Sequence, residues 1–407
     1  PGLRMSIENR ERKIMNNMRR VRPGSIASAL ATLIATQAIA FAAIADPTSP
    51  IGTHHNLVYE DGAFKHAPRA DGHAPIGVMG DHRHHQGDLM LSYRYMNMWM
   101  QGSRIGLDDV SPDRIVTTVP NRFFGKPMQP PTLRVVPTDM NMNMHMFGAM
   151  YGLTDQVTLN VMLPYIDKDM NHITYKGGMG TTRLGRFSTS TDGVGDLSFG
   201  GIVGVYDSKT EDSEQHLNLL LNLSAPTGSI TERGRILTPM GATPIVRLPY
   251  SMQLGSGTWD LLPGVVYTTR TGDLSFGAQY RGNFRLEDEN SEGYRLGTLH
   301  QATGWAAYQW APWVSTSLRV AYQNLGDIDG IDLDISGPVQ TANPDFYGGD
   351  RADLLIGLNL VGQKGAACGH RLAAEFGAPF YQRLNGPQLE TDYTFTVGWQ
   401  KALGDCR

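Results

Sequence analysis

The sequence predicts an all-β fold, a transmembrane antiparallel β-barrel of about 12 strands with short periplasmic turns and long extracellular loops. The first observation is that apolar residues alternate with mostly polar ones, as in the stretch from His216 to Leu223. A period of two places one set of side chains on each face of a strand. The other two observations are an N-terminal segment typical of exported proteins and the order of the connections between strands.

The N-terminal segment has the composition of a signal peptide, which we assign to residues 1–45. A basic region precedes an uncharged stretch from Ser25 to Ile44, and Ala43 and Ala45 satisfy the small-x-small rule for cleavage before Asp46. The alternative is a membrane anchor, although Ser28, Thr32 and nearby polar residues make the stretch weakly apolar for a spanning helix. Residues 46–87 then form a His-rich segment, either a plug of the barrel or a periplasmic leader, and residues 88–407 form the barrel.

Twelve alternating segments are predicted to be strands, and an even number returns the chain to the side from which it started. They are residues 88–101, 139–151, 156–166, 194–206, 215–224, 259–270, 273–286, 298–310, 313–324, 351–362, 370–380 and 390–403. Short connections, such as 152–155 and 271–272, alternate with mostly longer ones, such as 102–138, 167–193 and 225–258. Bacterial outer-membrane barrels separate their short periplasmic turns from their long outer loops in this way.

The alternation also predicts which side chains face lipid and which line the pore. We expect Leu91 and Tyr93 of the first strand, and Met140, Met142, Met144 and Met146 of the second, to face lipid. Charged side chains are costly in hydrocarbon, so the polar set should face the pore and set its selectivity electrostatically. The residues that we expect to line the pore are Arg94, His145, Arg281, Arg285, Arg319 and Glu375.

Composition and motifs narrow the classes of partner. The net charge of −4 argues against a nucleic-acid partner, which leaves outer-membrane lipid and a small-molecule solute. The sequence contains no nucleophile elbow, zinc-protease helix or phosphate-binding loop, so we do not expect an enzyme or a catalytic residue.

Histidine is concentrated ahead of the barrel, where seven of the 12 histidines occur between residues 54 and 85. A His-rich tract is a compositional indication of metal binding, and neutral imidazole suits zinc, copper and nickel. His82, His84 and His85 are the candidate ligands, and no other cofactor is expected. The alternative is a polar, solvated entry segment. In the first two predicted strands, methionines occupy every second position and so lie on one face of each strand. Their thioether groups raise the related possibility of copper binding, and the alternative is that they are ordinary apolar residues.

The two cysteines are predicted to meet at the periplasmic rim. Cys368 lies in the last short turn and Cys406 follows the last strand, so a disulfide between them is geometrically reasonable in an oxidising compartment. The alternative is a pair of unrelated thiols.

Several motifs resemble a known family. They are APIGVMGDH (74–82), MLSYRYM (90–96), PTDM (137–140), MHMFGAMY (144–151), VMLPY (161–165) and GPQLETD (386–392). Together they resemble the family named for a meta-pathway of phenol degradation, over nearly the whole mature chain. The resemblance implies an outer-membrane barrel labelled as a transporter. One departure is that the chain given does not finish on the aromatic residue with which such barrels usually end.

We therefore expect an outer-membrane channel or transporter for small molecules, with aromatic or hydrophobic compounds implied by the resemblance. Two alternatives stay open at this point. One is an outer-membrane protein that handles copper or zinc through the His-rich segment, and the other is a structural barrel that anchors a partner.

Overall fold

The structure, a computed structural model, describes the backbone of residues 57–60 and 63–66, and residues 69–210 and 213–403 with their side chains. The predicted signal peptide and Cys406 lie outside the described residues. No helix in the described part of the chain is both long enough and apolar enough to span a membrane.

Strands dominate the described chain. They are β1 (Leu57–Glu60), β2 (Ala63–His66), β3 (Leu89–Gly106), β4 (Asp108–Asp109), β5 (Val135–Thr154), β6 (Val157–Tyr175), β7 (Arg183–Val194), β8 (Leu197–Lys209), β9 (Ser213–Ala225), β10 (Arg233–Arg235), β11 (Ile245–Arg247), β12 (Asp260–Thr271), β13 (Leu274–Arg285), β14 (Tyr294–Arg295), β15 (Leu299–Ala311), β16 (Val314–Leu325), β17 (Asp329–Gly330), β18 (Gly349–Val361) and β19 (His370–Ala402). Among the described residues, one α-helix, α1, spans Pro112–Thr118, and short 3-10 helices span Tyr250–Met252, Gln340–Ala342, Pro344–Phe346 and Gly365–Ala367.

The large sheet closes into a barrel. Its strand order is β19-β18-β16-β15-β13-β12-β9-β8-β6-β5-β3, and β19 pairs with β3 to complete the ring. Outside this ring, β4 pairs with β3 and β7 pairs with β6. The ring therefore holds 11 assigned strands, and every pairing in it is antiparallel.

The last strand accounts for the difference from the predicted count. β19 is 33 residues long; Arg371–Leu384 pairs with β18, whereas the stretch from Leu384 to Ala402 pairs with β3. A closed ring can be antiparallel throughout only if it has an even number of strand segments. β19 therefore supplies two of the 12 segments. The chain reverses near Gly386, whose φ of +108° favours glycine. The prediction of about 12 strands is confirmed.

The connections confirm the predicted separation of short turns from long loops. Short turns join β5 to β6, β8 to β9, β12 to β13, β15 to β16 and β18 to β19, all at one end. Most connections at the other end are longer, and α1, β10, β11, β14 and β17 lie in them. By the convention of outer-membrane barrels, the end with short turns is periplasmic and the other is the outer end.

One long connection was predicted wrongly as a loop. Residues 167–193 continue β6 to Tyr175 and return as β7, and these two strands pair from Tyr165 to Tyr175. β6 pairs with β8 only through its first residues, Val157–Met162, so the hairpin extends beyond the ring. Its residues are polar on both faces, which hides the alternation that identified the other strands.

The polarity of the barrel is the reverse of that of a water-soluble protein. Large apolar side chains such as Leu91, Phe147, Ile356 and Phe376 are exposed on the outward face. The inward face buries polar side chains, among them Asn218, Ser315 and Glu375. An apolar exterior around a polar interior is typical of strands that alternate between lipid and lumen.

The outer loops have apolar cores of their own. In one, Ile115 and Val116 of α1 pack with Leu133, Ile173 and Tyr175. In a second core, Tyr250 and Tyr294 pack with Phe123, Ile328 and Ile335. Because these clusters join loops from several parts of the ring, the loops form a packed layer over the outer end.

The lipid-facing belt makes a testable prediction. Replacing Ile356, which is 64% exposed in the middle of β18, with Arg should lower the unfolding free energy in phospholipid vesicles by about 2–4 kcal/mol. The matched control is Leu333→Arg, at a loop position that is 73% exposed. Urea unfolding measures both variants, and an equal effect of the two would contradict a membrane-facing belt on β18.

Candidate functional site

A segment of chain ahead of the first barrel strand runs across the barrel interior. In residues 69–87, the Ala70 carbonyl accepts a hydrogen bond from Ser315 Oγ of β16 (2.9 Å). Further along the segment, the Met79 carbonyl accepts one from Gln279 Nε2 of β13 (2.8 Å), and His84 N donates one to Thr158 Oγ1 of β6 (2.8 Å). β16 and β6 lie on roughly opposite sides of the ring, so the segment spans the enclosed space.

The same segment packs against a buried ion pair on the wall. Arg319 of β16 donates to Glu375 of β19 through Nε (2.8 Å) and Nη2 (2.6 Å), a bidentate geometry. Gly77 packs against this pair, and a Cβ atom at that position would overlap both side chains. Nearby, Arg371 donates to the Ala74 carbonyl at 2.6 Å. The segment is therefore held by its backbone against charged wall residues.

Two other inward arginines lack an acidic partner. Arg94 of β3 is only 9% exposed, and among the described residues neither it nor Arg281 of β13 has a hydrogen bond or an ion pair. Both line one small cavity of about 70 Å³ beside the segment, together with Met90 and Asn160. Asp81 of the segment offsets part of the charge of Arg94 from beyond ion-pair distance, but neither guanidinium group is paired, so the two form a local excess of positive charge.

Five of the six residues expected to line the pore share the inward face. Arg94, Arg281, Arg285, Arg319 and Glu375 all lie on it, with Arg285 paired to the inward Asp260. His145 does not: it is the register partner of Tyr95 and bonds the Tyr93 hydroxyl through Nδ1 (2.8 Å). Phe147, on the same face as His145, is 54% exposed, so the prediction that His145 lines the pore is wrong.

The methionines of β5 face inward, which corrects their predicted contact with lipid. Met144, Met142 and Met140 are the register partners of Met96, Met98 and Met100 of β3, and Met140 is buried. The polar set between them faces outward, where its members form hydrogen bonds across the two strands. Asn97 Nδ2 donates to Asn141 Oδ1 (2.6 Å), and the Tyr95 hydroxyl donates to Asn143 Oδ1 (2.8 Å). Because these polar groups are satisfied by one another, they can lie on the outward face.

These paired methionines, which we call the methionine wall, lead toward an apolar cavity among the outer loops. The cavity has a volume of about 540 Å³, within the range of small-molecule sites. Its lining is mainly apolar and includes Ile236, Leu248, Val339 and Phe187, whose ring stacks on His172 at 4.5 Å. Leu248 also packs with Met140, Met170 and Met252, so the floor of the cavity meets the upper end of the methionine wall.

The histidine tract contains a compact cluster, but with a different membership from the predicted one. Potential ligand atoms of His73, Asp81 and His82 all lie within 4.8 Å of one another, and the His84 ring centroid is 4.9 Å from that of His82. The predicted ligand His85 points away: its side chain is 89% exposed and lies 3.4 Å from Asp155. His73 was missed because it lies nine residues before His82 and only the path of the chain brings the two together, whereas Asp81 directly precedes His82 and was missed because the prediction considered histidines alone.

The titration of the cluster follows from burial. Desolvation lowers the pKa of His84 to about 3 and places the pKa of His73 well below its ordinary value. The nearby His82 ring holds the pKa of Asp81 well below its usual range, against the opposing effect of burial. At neutral pH, His73 and His84 are therefore neutral imidazoles near the carboxylate of Asp81.

The predicted disulfide remains a prediction, because Cys406 lies outside the described residues. Cys368 lies in the turn between β18 and β19, and its carbonyl accepts a hydrogen bond from Lys401 Nζ at 2.6 Å. The backbone N–H of Ala402 donates to Gly369, so the last described residues of the chain run beside this turn.

Solved structures with a similar fold are outer-membrane barrels. An outer membrane channel from Pseudomonas putida F1 is 14% identical with a TM-score of 0.50, over 80% of this chain and 99% of that one. A FadL homologue from Pseudomonas aeruginosa is 10% identical with a TM-score of 0.40, over 77% of this chain and 90% of that one. The toluene transporter TodX of P. putida is 11% identical with a TM-score of 0.37, over 77% and 90% of the two chains.

No protein-family model and no curated protein matches this sequence. The first of the three structures shows that the fold is of the outer-membrane channel type, and identities this low say nothing about the solute. The fold prediction is thus confirmed, whereas the resemblance to the phenol-degradation family is not matched by a family model.

The Arg319–Glu375 pair makes a prediction about stability. Glu375→Ala leaves a buried guanidinium without its partner and should lower the unfolding free energy by about 3–5 kcal/mol in urea titrations. The matched control is Asp345→Ala, which removes the exposed partner of Arg122 (2.7 Å) and should cost about 0–1 kcal/mol. A loss at residue 375 as small as the control would show that the pair is solvated.

Proposed function

We propose that this protein is an outer-membrane channel for small apolar compounds, and that compounds carrying a negative charge pass preferentially. The observation that carries the proposal is the apolar cavity among the outer loops, whose floor meets the methionine wall of the barrel. A soluble apolar molecule that enters the cavity loses contact with water, and the wall below offers it a further apolar surface.

Methionine suits a path of this kind. Its side chain is flexible and polarisable, so it adapts to solutes of different shape and makes favourable contacts with aromatic rings. The resemblance to a family named for phenol degradation supports aromatic solutes in particular. It is also in line with the toluene transporter among the similar folds, although that name describes the other protein.

The segment ahead of the barrel acts, in this proposal, as a plug. Residues 69–87 bond to β16, β13 and β6 and pack Ala74 and Val78 against Leu220, Val266 and Trp305 of the wall. A solute that reaches this level needs the segment to shift before it can continue. Hydrogen bonds to a few wall positions, rather than a continuous sheet, hold the segment and make such a shift feasible.

Charge selectivity would come from the unpaired arginines. Arg319 is neutralised by Glu375 and Arg285 by Asp260, so neither adds net charge to the interior. Arg94 and Arg281 have no such partner among the described residues. A carboxylate passing this level would gain charge-assisted hydrogen bonds from them, whereas a cation would be repelled.

The cavity gives a test of the proposed function. Phe187→Ala removes a ring from the cavity lining and should slow uptake of benzyl alcohol into proteoliposomes several-fold, because the solute loses apolar contact area. The control Leu107→Ala alters an exposed loop residue and should leave uptake unchanged. Deletion of residues 46–87 should instead accelerate uptake. If none of these variants differs from empty liposomes, the protein is not a channel for this class of solute.

The arginines give a second test. The double variant Arg94→Ala/Arg281→Ala should abolish the preference for benzoate over benzylammonium in liposome swelling, because it removes the net positive charge at that level. The matched control, Arg319→Gln/Glu375→Gln, removes one charge of each sign and should retain the preference. An unchanged preference in the first variant would contradict this account of selectivity.

A further inference from the structure

We propose that His73, Asp81 and His82 form a binding site for one divalent transition-metal ion of the zinc, nickel and copper class, with His84 as a fourth ligand. The site lies on the segment inside the barrel and is distinct from the predicted set of His82, His84 and His85. It does not depend on the proposed channel function, since it rests on the ligand chemistry of these four side chains alone.

Unpartnered ring nitrogens are the first observation in favour of a metal. His73 Nδ1, His82 Nε2 and His84 Nε2 are buried and have no hydrogen-bond partner, whereas His82 Nδ1 lies 3.0 Å from Asp81 Oδ1. A buried polar atom without a partner costs free energy, and native structures contain few of them. Three such atoms, one on each of three neighbouring imidazoles, indicate a missing common partner. A metal ion satisfies imidazole nitrogens as a group, and imidazole suits zinc, copper and nickel.

The geometry is close to that of a coordination site. The ligand atoms of His73, Asp81 and His82 lie within 4.8 Å of one another, and the His73 and His82 ring centroids are 4.4 Å apart. Ligands at about 2.0–2.1 Å from a tetrahedral zinc ion are roughly 3.4 Å apart. Binding of an ion would draw these ligand atoms together by rotation of the imidazole rings about their side-chain torsions.

The carboxylate is already oriented. Asp81 Oδ2 accepts a hydrogen bond from Ala74 N at 2.8 Å, which leaves Oδ1 on the side of His82 Nδ1, 3.0 Å away. The Ala74 carbonyl in turn accepts from Arg371 of the wall at 2.6 Å. Hydrogen bonds that fix a ligand in this way are typical of metal centres and contribute to their affinity.

The charge on the cavity side of the cluster favours a cation, whereas the Arg371 guanidinium of the wall also interacts electrostatically with His73 and Asp81. The cluster borders a cavity of about 300 Å³ whose lining includes the four carboxylates of Asp71, Asp81, Asp155 and Glu214, against the two guanidinium groups of Arg83 and Arg270. The acidic groups exceed the basic ones by two, because four minus two leaves a formal charge of −2 on this lining. Asp155 belongs to the turn between β5 and β6, so the cavity reaches the periplasmic end, where metal ions have access.

A metal at this site would fasten the segment. Its ligands come from both ends of the stretch between His73 and His84, so one ion would close this stretch into a loop inside the barrel. Metal-ligand bonds contribute directly to the stability of the structure that assembles them.

Metal binding to the purified full-length mature protein in detergent tests the proposal. The background variant His54→Ala/His55→Ala/His66→Ala removes tract histidines outside the cluster, and isothermal titration with Zn(II) and with Cu(II) measures stoichiometry and affinity. We expect one ion per chain in this background. Adding His73→Ala and His82→Ala should weaken binding by more than about 100-fold, whereas adding His85→Ala should leave it unchanged.

A second measurement separates ligation from folding. Co(II) in a site with nitrogen and oxygen ligands absorbs in the visible range, and His82→Gln, which retains a polar side chain, should abolish this absorption. The heat-dependent shift of the barrel in gel electrophoresis verifies that each variant is folded. Unchanged Zn(II) binding in the His73→Ala/His82→Ala variant, or no binding of either metal in the background variant, would overturn the proposal.

Discussion

The pairing of β19 with β3 is the interaction on which the rest of the structure depends. In hydrocarbon no water satisfies an exposed N–H or C=O group, so a sheet can enter a membrane only if it has no free edge. Fourteen register pairs between the two strands remove both edges at once. Closure then forces the reversal near Gly386, because β19 must be antiparallel to both of its neighbours, and it creates an enclosed space that the sequence has to fill.

The residues that fill the barrel interior account for most of the buried polar contacts. The inward face carries arginines and carboxylates that cannot lie in lipid, and enclosed charges need partners as much as lipid-facing ones do. Arg319 and Arg285 find carboxylates on the wall, whereas Arg371 finds the carbonyl of Ala74 on the entering segment. The segment is thus part of the electrostatic balance of the barrel as well as an obstacle in it.

Sequence alone predicted the parts of the fold that obey a period of two. The 12 strand segments of the ring and the order of short and long connections follow from strand pleating and chain direction, both of which are local properties. Orientation was harder to predict. Methionine and asparagine alternate in β5. The expectation that the apolar set faces lipid failed because Asn141 and Asn143 both accept hydrogen bonds from Asn97 on the outward face. Such cross-strand partners depend on register, which the sequence of one strand does not contain.

The histidine cluster shows the same limit at a finer scale. Composition indicated metal binding in this tract, and His82 and His84 do belong to the cluster together with Asp81, the residue before His82, but His73 joins them only because the segment folds back on itself. That fold-back is set by the hydrogen bond from Ala74 N to Asp81 and by wall contacts from strands 200 or more residues later in the chain, such as the bond from Gln279 to the Met79 carbonyl. A site on an irregular segment therefore takes its geometry from the barrel around it. By the same reasoning, any movement that released the segment from the wall would also disperse the ligands, so metal binding and the position of the segment would be thermodynamically linked.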